Sequence, residues 1–217
     1  MVNILLVLAG LFLLAGLLIG EKKRSTVQIL AFKTPLSALF VIVAVLQPHP
    51  LPAYYQYILV GLLLGLAGDV LLAIPGNHTF RAGLVSFLAG HVLYIVAFIS
   101  LIETMKWLDP AYLAMIAVSF AVFRVLQGRV GPMLVPVILY VVVITVMLAA
   151  SWAVLRSETL PMAAAWFIFV GALCFYVSDL FVARDRFIDK QFLNRLVGLP
   201  LYYTGQFLLA FSVGMVG

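Results

Sequence analysis

Apolar residues along this 217-residue chain run in long blocks, broken by short polar connections. About twenty apolar residues cross a bilayer as a helix. On that measure the pattern predicts eight spans, roughly 2–20, 31–47, 55–75, 80–102, 110–127, 132–155, 161–183 and 196–216. Pro48 and Pro50-Leu51-Pro52 separate spans two and three, Pro75-Gly76 ends span three, and Gly131-Pro132 opens span six, as turn formers do. The second span carries Lys33 and Pro35 near its start, where the lysine is expected to snorkel to the interface. In the first block Lys22, Lys23 and Arg24 follow the apolar run, and no small-residue cleavage site appears. It reads as a retained span with an exported N-terminus.

Composition sharpens this picture. Apolar residues make up 65% of the chain, charged residues 10%, and mean hydropathy is +1.21. A soluble domain averages about 45–50% apolar and about 25% charged. The expected fold is therefore an all-α integral membrane protein, one transmembrane domain over residues 1–217. The net charge of +5 is no nucleic-acid signal, because the basic residues lie in connections or at helix ends. Lys22, Lys23, Arg24, Lys33, Arg81, Arg124, Arg129, Arg184, Arg186, Lys190 and Arg195 fall on one side; only Lys106 and Arg156 fall on the other. This bias puts both termini on the non-cytoplasmic side, and a bacterial inner (plasma) membrane is the expected location. The lone Cys174 supports neither a disulfide framework nor a cysteine metal site.

With connections this short, any chemistry must lie among the helices, and the polar residues inside the apolar blocks become the candidates. Gly61, Gly65 and Asp69 share one face of span three, and Gly171 to Asp179 repeats the Gly61-to-Asp69 interval in span seven. An Asp at a membrane-helix centre costs roughly 2.5–3.5 kcal/mol on insertion scales, so such residues are rare unless used. Asp69 lies about six residues from the cytoplasmic end of its span, roughly 8–9 Å deep at 1.5 Å per residue, and Asp179 sits at a similar height. His91, with Tyr94 three residues on, occupies span four; Gln206, with Tyr202 and Tyr203 one turn back, occupies span eight. The pairs Gly90-His91 and Gly205-Gln206 extend the echo, as two parallel four-helix repeats would.

Two buried carboxylic acids suit proton transfer, one serving as acid and the other as base, titrating together. Asp69, Asp179 and His91 as ligands of a divalent ion are the competing reading, without HExxH, paired histidines or cysteines to support it. Purely structural interhelical contacts are a third. A small proton-coupled transporter would use the same intramembrane acids.

Several segments are similar to the YhhN-type lysoplasmalogenase family. They are Lys33-Thr-Pro35-Leu36, Gly68-Asp69-Val-Leu-Leu, Phe80-Arg81-Ala-Gly83-Leu and Phe87-Leu-Ala-Gly90-His91-Val-Leu-Tyr94. Tyr140, Gly171-Ala-Leu-Cys-Phe175-Tyr-Val-Ser178-Asp179 with Phe187, and Tyr202-Tyr203-Thr-Gly-Gln206 complete the set. Two positions depart from the family pattern: Thr34 intervenes between Lys33 and Pro35, and Gly205 stands before Gln206 where alanine is common. The resemblance implies hydrolysis of the vinyl ether bond of lysoplasmalogens, lysophospholipids held in the bilayer, to a fatty aldehyde and glycerophosphoethanolamine or glycerophosphocholine. It implies Asp69 and Asp179 as the acid/base pair, with His91, Tyr94, Tyr203 and Gln206 orienting water, substrate oxygen or the carboxylates. Lys33, Arg81 and Arg184 are the expected phosphate contacts, Tyr140 and Tyr202 line the substrate site, and neither metal nor other cofactor is expected. A vinyl ether is acid-labile, since protonating its β-carbon yields an oxocarbenium ion, so a positioned acid and a carboxylate suffice.

Overall fold

A computed structural model describes residues 2–102, 109–157 and 160–217; Lys106, one of the two basic residues expected on the far side, lies outside them. The described residues form eight α-helices and no strand. These are α1 (Val2–Lys23), α2 (Thr26–Leu46), α3 (Pro52–Ala73), α4 (Asn77–Ile99), α5 (Pro110–Leu126), α6 (Leu134–Ser157), α7 (Met162–Phe187) and α8 (Phe192–Ser212). A short 3-10 turn, Gly131–Met133, leads into α6. Each helix falls on one predicted block. Six of them, α1 to α4, α6 and α7, are long and apolar enough to cross a membrane, which makes this a multispan membrane protein. The apolar α5 has 17 residues, and α8 is diluted by Asn194, Arg195, Tyr202, Tyr203 and Gln206.

Local chemistry places the helix ends. Ser25 caps α2, accepting from the Gln28 N–H at 3.4 Å. Pro52 and Pro110 occupy first-turn positions, where a missing N–H costs nothing. Asp109 caps α5 by accepting from the Ala111 N–H at 2.9 Å and takes the Trp152 indole N–H at 3.0 Å. Those two bonds, with Arg156 nearby, hold its carboxyl below the usual carboxylate range. Gly76, at φ +149°, turns the chain from α3 into α4 in a conformation L side chains rarely adopt.

The second span begins about five residues earlier than the apolar pattern suggested, and Pro35 sits inside it. Lys33 does not snorkel. It is buried, only 5% exposed, because a carboxylate on the next helix faces it.

The most extensive pairings are α3 with α4 and α7 with α8; α4 meets α6, and α2 meets α8, across the middle of the bundle. Small residues let these backbones close up, as membrane helices require where lipid supplies no hydrophobic drive. A Cβ at Gly90 would stand 3.2 Å from the Gly61 carbonyl oxygen, and one at Gly205 only 2.8 Å from that of Gly171. Large apolar side chains on α1 (Ile4, Leu8, Phe12) and α5 (Leu113, Ile116, Phe120) stay exposed, as lipid-facing positions do.

Candidate functional site

The polar residues of the spans assemble around two carboxylates. At Asp69, on α3, Lys33 Nζ approaches Oδ1 to 3.0 Å. The hydroxyls of Ser37 and Tyr202 both donate to Oδ2, each at 2.6 Å. Ser37 Oγ also lies 3.1 Å from the Tyr203 hydroxyl, which donates to it, since the Ser37 proton goes to Asp69. The Gln206 amide donates to the Tyr202 hydroxyl at 3.1 Å and accepts from the Tyr94 hydroxyl at 2.8 Å. One network thus ties α2, α3, α4 and α8 together, and each donor in it donates to Asp69 or to a residue that leads on toward Asp69. Such networks hold their members in one arrangement when all are satisfied.

Asp179, on α7, has a sparser surrounding. The Tyr140 hydroxyl, from α6, donates to Oδ2 at 2.9 Å. His91 Nε2, from α4, stands 3.9 Å from the same oxygen, beyond hydrogen-bond length. The imidazole is 1% exposed, and neither ring nitrogen has a hydrogen-bond partner among the described residues. A buried polar group so placed has its bonding capacity free for another molecule. Asp179 is also the more open acid, its side chain 15% exposed against 2% for Asp69.

An aromatic wall joins the two centres. Phe175 packs edge-to-face on His91, with ring centres 4.5 Å apart, and on Tyr202, at 5.2 Å. Phe87 stands 6.2 Å from Phe175 and 5.8 Å from Tyr202. The glycines of α3 give these side chains their seats. A Cβ at Gly61 would lie 2.4 Å from the Tyr94 ring, at Gly65 2.7 Å from Gln206 Nε2, and at Gly68 2.7 Å from the Phe87 ring. The Gly-rich stripe therefore makes room for side chains of the site as well as for a neighbouring backbone.

Both acids line one cavity of about 750 Å³. Lys33, Tyr140, Phe175 and Tyr202 share its polar and aromatic floor, while Leu84, Val137, Ile144 and Leu180 contribute apolar wall. The size lies within the range of small-molecule sites. It opens at the ends of α3 and α7, where Pro75, Gly76, Ile188 and Lys190 frame it.

Among the sequence-derived candidates, Tyr94, Tyr202, Tyr203 and Gln206 gather with Lys33 at Asp69, and His91 and Tyr140 gather at Asp179. Arg81 and Arg184 do not line the cavity; Arg81 is exposed on the first turns of α4. Arg184 is five residues beyond Asp179, which on a helix turns it well away from the acid's face. Sequence reasoning missed Ser37, whose signal was its position one turn after Lys33, and Phe87 and Phe175 as the shared wall. Among the described residues, no group of three or more His, Cys, Asp or Glu stands together as a metal site.

The sequence pattern of the YhhN family matches residues 28–213, which include every residue of both centres. Lysoplasmalogenases of Mycobacterium bovis and Mycobacterium tuberculosis are each 29% identical over 180 residues, 80% of this chain and 64% of theirs. The chain thus spans about 64% of the length of these curated relatives. No solved structure matches.

Proposed function

The chain belongs to the YhhN family, and on that premise we propose that it is a lysoplasmalogenase, cleaving the vinyl ether bond of a lysophospholipid without a cofactor. The observation that carries the reading is the single cavity in which two intramembrane carboxylates meet an apolar wall. The similarity to mycobacterial lysoplasmalogenases supports the same substrate class.

In this mechanism Asp179, the more open acid, gives its proton to the β-carbon of the vinyl ether. The π electrons form the new C–H bond and leave an oxocarbenium ion shared by the α-carbon and the ether oxygen. Water adds to the α-carbon and returns a proton to Asp179, producing a hemiacetal. Passage of the hemiacetal hydroxyl proton to the glycerol oxygen breaks the C–O bond. Fatty aldehyde and glycerophosphoethanolamine or glycerophosphocholine leave. Tyr140 holds Asp179, and the free ring nitrogens of His91 orient the water beside it. Asp69, fixed by Lys33, Ser37 and Tyr202, is the preorganised anion across the cavity, acting on the developing cation through electrostatics that need no rearrangement.

We read all eight helices as spans, α8 included, since its polar side chains Asn194, Tyr202, Tyr203 and Gln206 are buried inside the bundle rather than turned to lipid. Two parallel four-helix repeats account for the pairing pattern. A constant offset of 110 residues relates Gly61, Gly68 and Asp69 to Gly171, Ser178 and Asp179, and one of 115 relates Gly83, Gly90 and His91 to Gly198, Gly205 and Gln206. Corresponding contacts support it: a Cβ at Gly83 would meet the Gly68 carbonyl oxygen at 3.3 Å, and one at Gly198 that of Ser178 at 3.7 Å. Following the basic residues, both termini are non-cytoplasmic and the cavity opens to the cytoplasmic leaflet; the membrane we assign is a bacterial inner (plasma) membrane.

The test is aldehyde release by purified protein from a 1-alkenyl lysophospholipid in detergent. Free aldehyde, formed more slowly in D₂O because proton transfer to carbon limits the rate, is the expected result. A proton-coupled carrier would release none, and a metal enzyme would lose its activity to chelator and regain it with added ion.

A further inference from the structure

The cavity mouth holds charged groups that the chemistry above does not use. Two of its carboxylates are already occupied. Asp185 takes Arg195 at 2.9 Å and the Asn194 amide at 3.3 Å, and Asp189 accepts from the Gln191 amide. Arg186 is different. It lines the cavity, yet its contacts are neutral: the Phe80 ring, 4.1 Å from the guanidinium carbon to the ring centre, and the Asn77 carbonyl oxygen at 3.5 Å. No described carboxylate pairs with it. Phe80 lines the same mouth, so a residue of α4 holds the guanidinium there while its charge is left uncompensated.

Its register is informative. Arg186 follows Asp179 by seven residues on α7. Two turns return to the same face of a helix, about 10 Å further along the axis. In a 1-alkenyl lysophospholipid, seven bonds separate the vinyl ether β-carbon from phosphorus, about 8 Å for a covalent chain at full extension. A substrate whose reacting carbon lies at Asp179 therefore brings its phosphate to the height of Arg186. Arginine's planar fork suits a phosphodiester, with two parallel donors for two oxygens.

Resting on the lysoplasmalogenase reading, we infer that Arg186 is the specificity residue for the substrate phosphate, selecting phosphodiester-bearing vinyl ethers over neutral ones. Arg81 and Arg184 then serve the interface alone.

The experiment compares two substrates with one alkenyl chain in maltoside micelles: alkenyl glycerophosphoethanolamine, and the alkenylglycerol that lacks phosphate. Losing a charge-assisted bond of this kind should raise KM for the phosphodiester on the order of tenfold in Arg186→Ala. Its kcat, and both constants for alkenylglycerol, should stay within about twofold of wild type, as for a binding contact made equally in ground and transition states. Arg186→Lys should recover part of the loss. A KM for the phosphodiester unchanged in Arg186→Ala, or an equal loss on both substrates, overturns the inference. If the wild-type protein releases no aldehyde, the hydrolase reading fails but the phosphate site can still be measured. Acyl lysophosphatidylethanolamine should then bind the wild type more tightly than the matching monoacylglycerol, and Arg186→Ala should abolish that preference. Equal binding of the two lipids by the wild type overturns the site, and so does displacement by millimolar inorganic phosphate, which would make this a free-anion site with no lipid specificity.

Discussion

At the scale of single residues, the two acids differ in what surrounds them, and the difference separates catalysis from stability. Asp179 has one hydroxyl donor and a distant imidazole, so Asp179→Asn leaves no buried charge without its partner. It should fold as the wild type does and lose on the order of 10²-fold or more in turnover, the scale of a general acid. Thermal unfolding in detergent beside aldehyde release checks both halves; near-normal turnover would remove Asp179 from the chemistry. Asp69→Asn differs because Lys33 is left buried and unpaired. Breaking a buried pair costs about 3–5 kcal/mol, so this variant should unfold earlier as well as lose activity. Adding Lys33→Met to Asp69→Asn should restore much of the stability and none of the turnover. A double variant regaining activity would reduce the pair to scaffolding.

At the scale of elements, the glycines of α3, α7 and α8 do two jobs that substitution can separate. Gly205 faces backbone, and a methyl there would stand 2.8 Å from the Gly171 carbonyl oxygen. Neither helix can yield locally, so Gly205→Ala should part α7 from α8 and lower the unfolding temperature. Gly65 faces the end of a side chain, Gln206 Nε2 at 2.7 Å. Gly65→Ala can be accommodated by turning that amide aside, which frees the Tyr202 hydroxyl from its donor and the Tyr94 hydroxyl from its acceptor. The expected result is a folded protein with reduced turnover. The reverse outcome, an unstable Gly65→Ala and an inactive but stable Gly205→Ala, would contradict this division between packing and site.

At the scale of the whole molecule, the distribution of basic residues and the position of the cavity mouth make one prediction together. Arg81, Arg184, Arg186, Lys190 and Arg195 lie near the end where the cavity opens, so the positive-inside rule turns that opening to the cytoplasm. A reporter that matures only in the cytoplasm should stay dark when fused to either terminus, and should light up when inserted between α7 and α8. A bright C-terminal fusion with a dark N-terminal one would mean an odd number of crossings, and two bright fusions would mean an inverted protein. In the inverted case the proposed chemistry is unchanged, and the proposed lysolipid substrate would enter from the opposite leaflet.

The apolar blocks by themselves determined the helical membrane class, because a bilayer demands runs of about twenty apolar residues whatever their order in the bundle, and each of the eight described helices falls on one such block. Asp69, Asp179, His91 and Gln206 were equally legible as candidates, since polar groups inside such runs are expensive and stand out. Partnership was not. That Lys33 turns inward to Asp69 instead of snorkelling depends on α2 lying against α3, and that Tyr202 serves Asp69 while Tyr140 serves Asp179 depends on which helices cross in the middle. Arg184 and Arg186 are indistinguishable in a count of basic residues; only the cavity, opening along one face of α7, decides between them. Composition and spacing report what each helix must bury. Which neighbour satisfies it is settled by close packing, an agreement among distant segments that no local stretch of sequence carries.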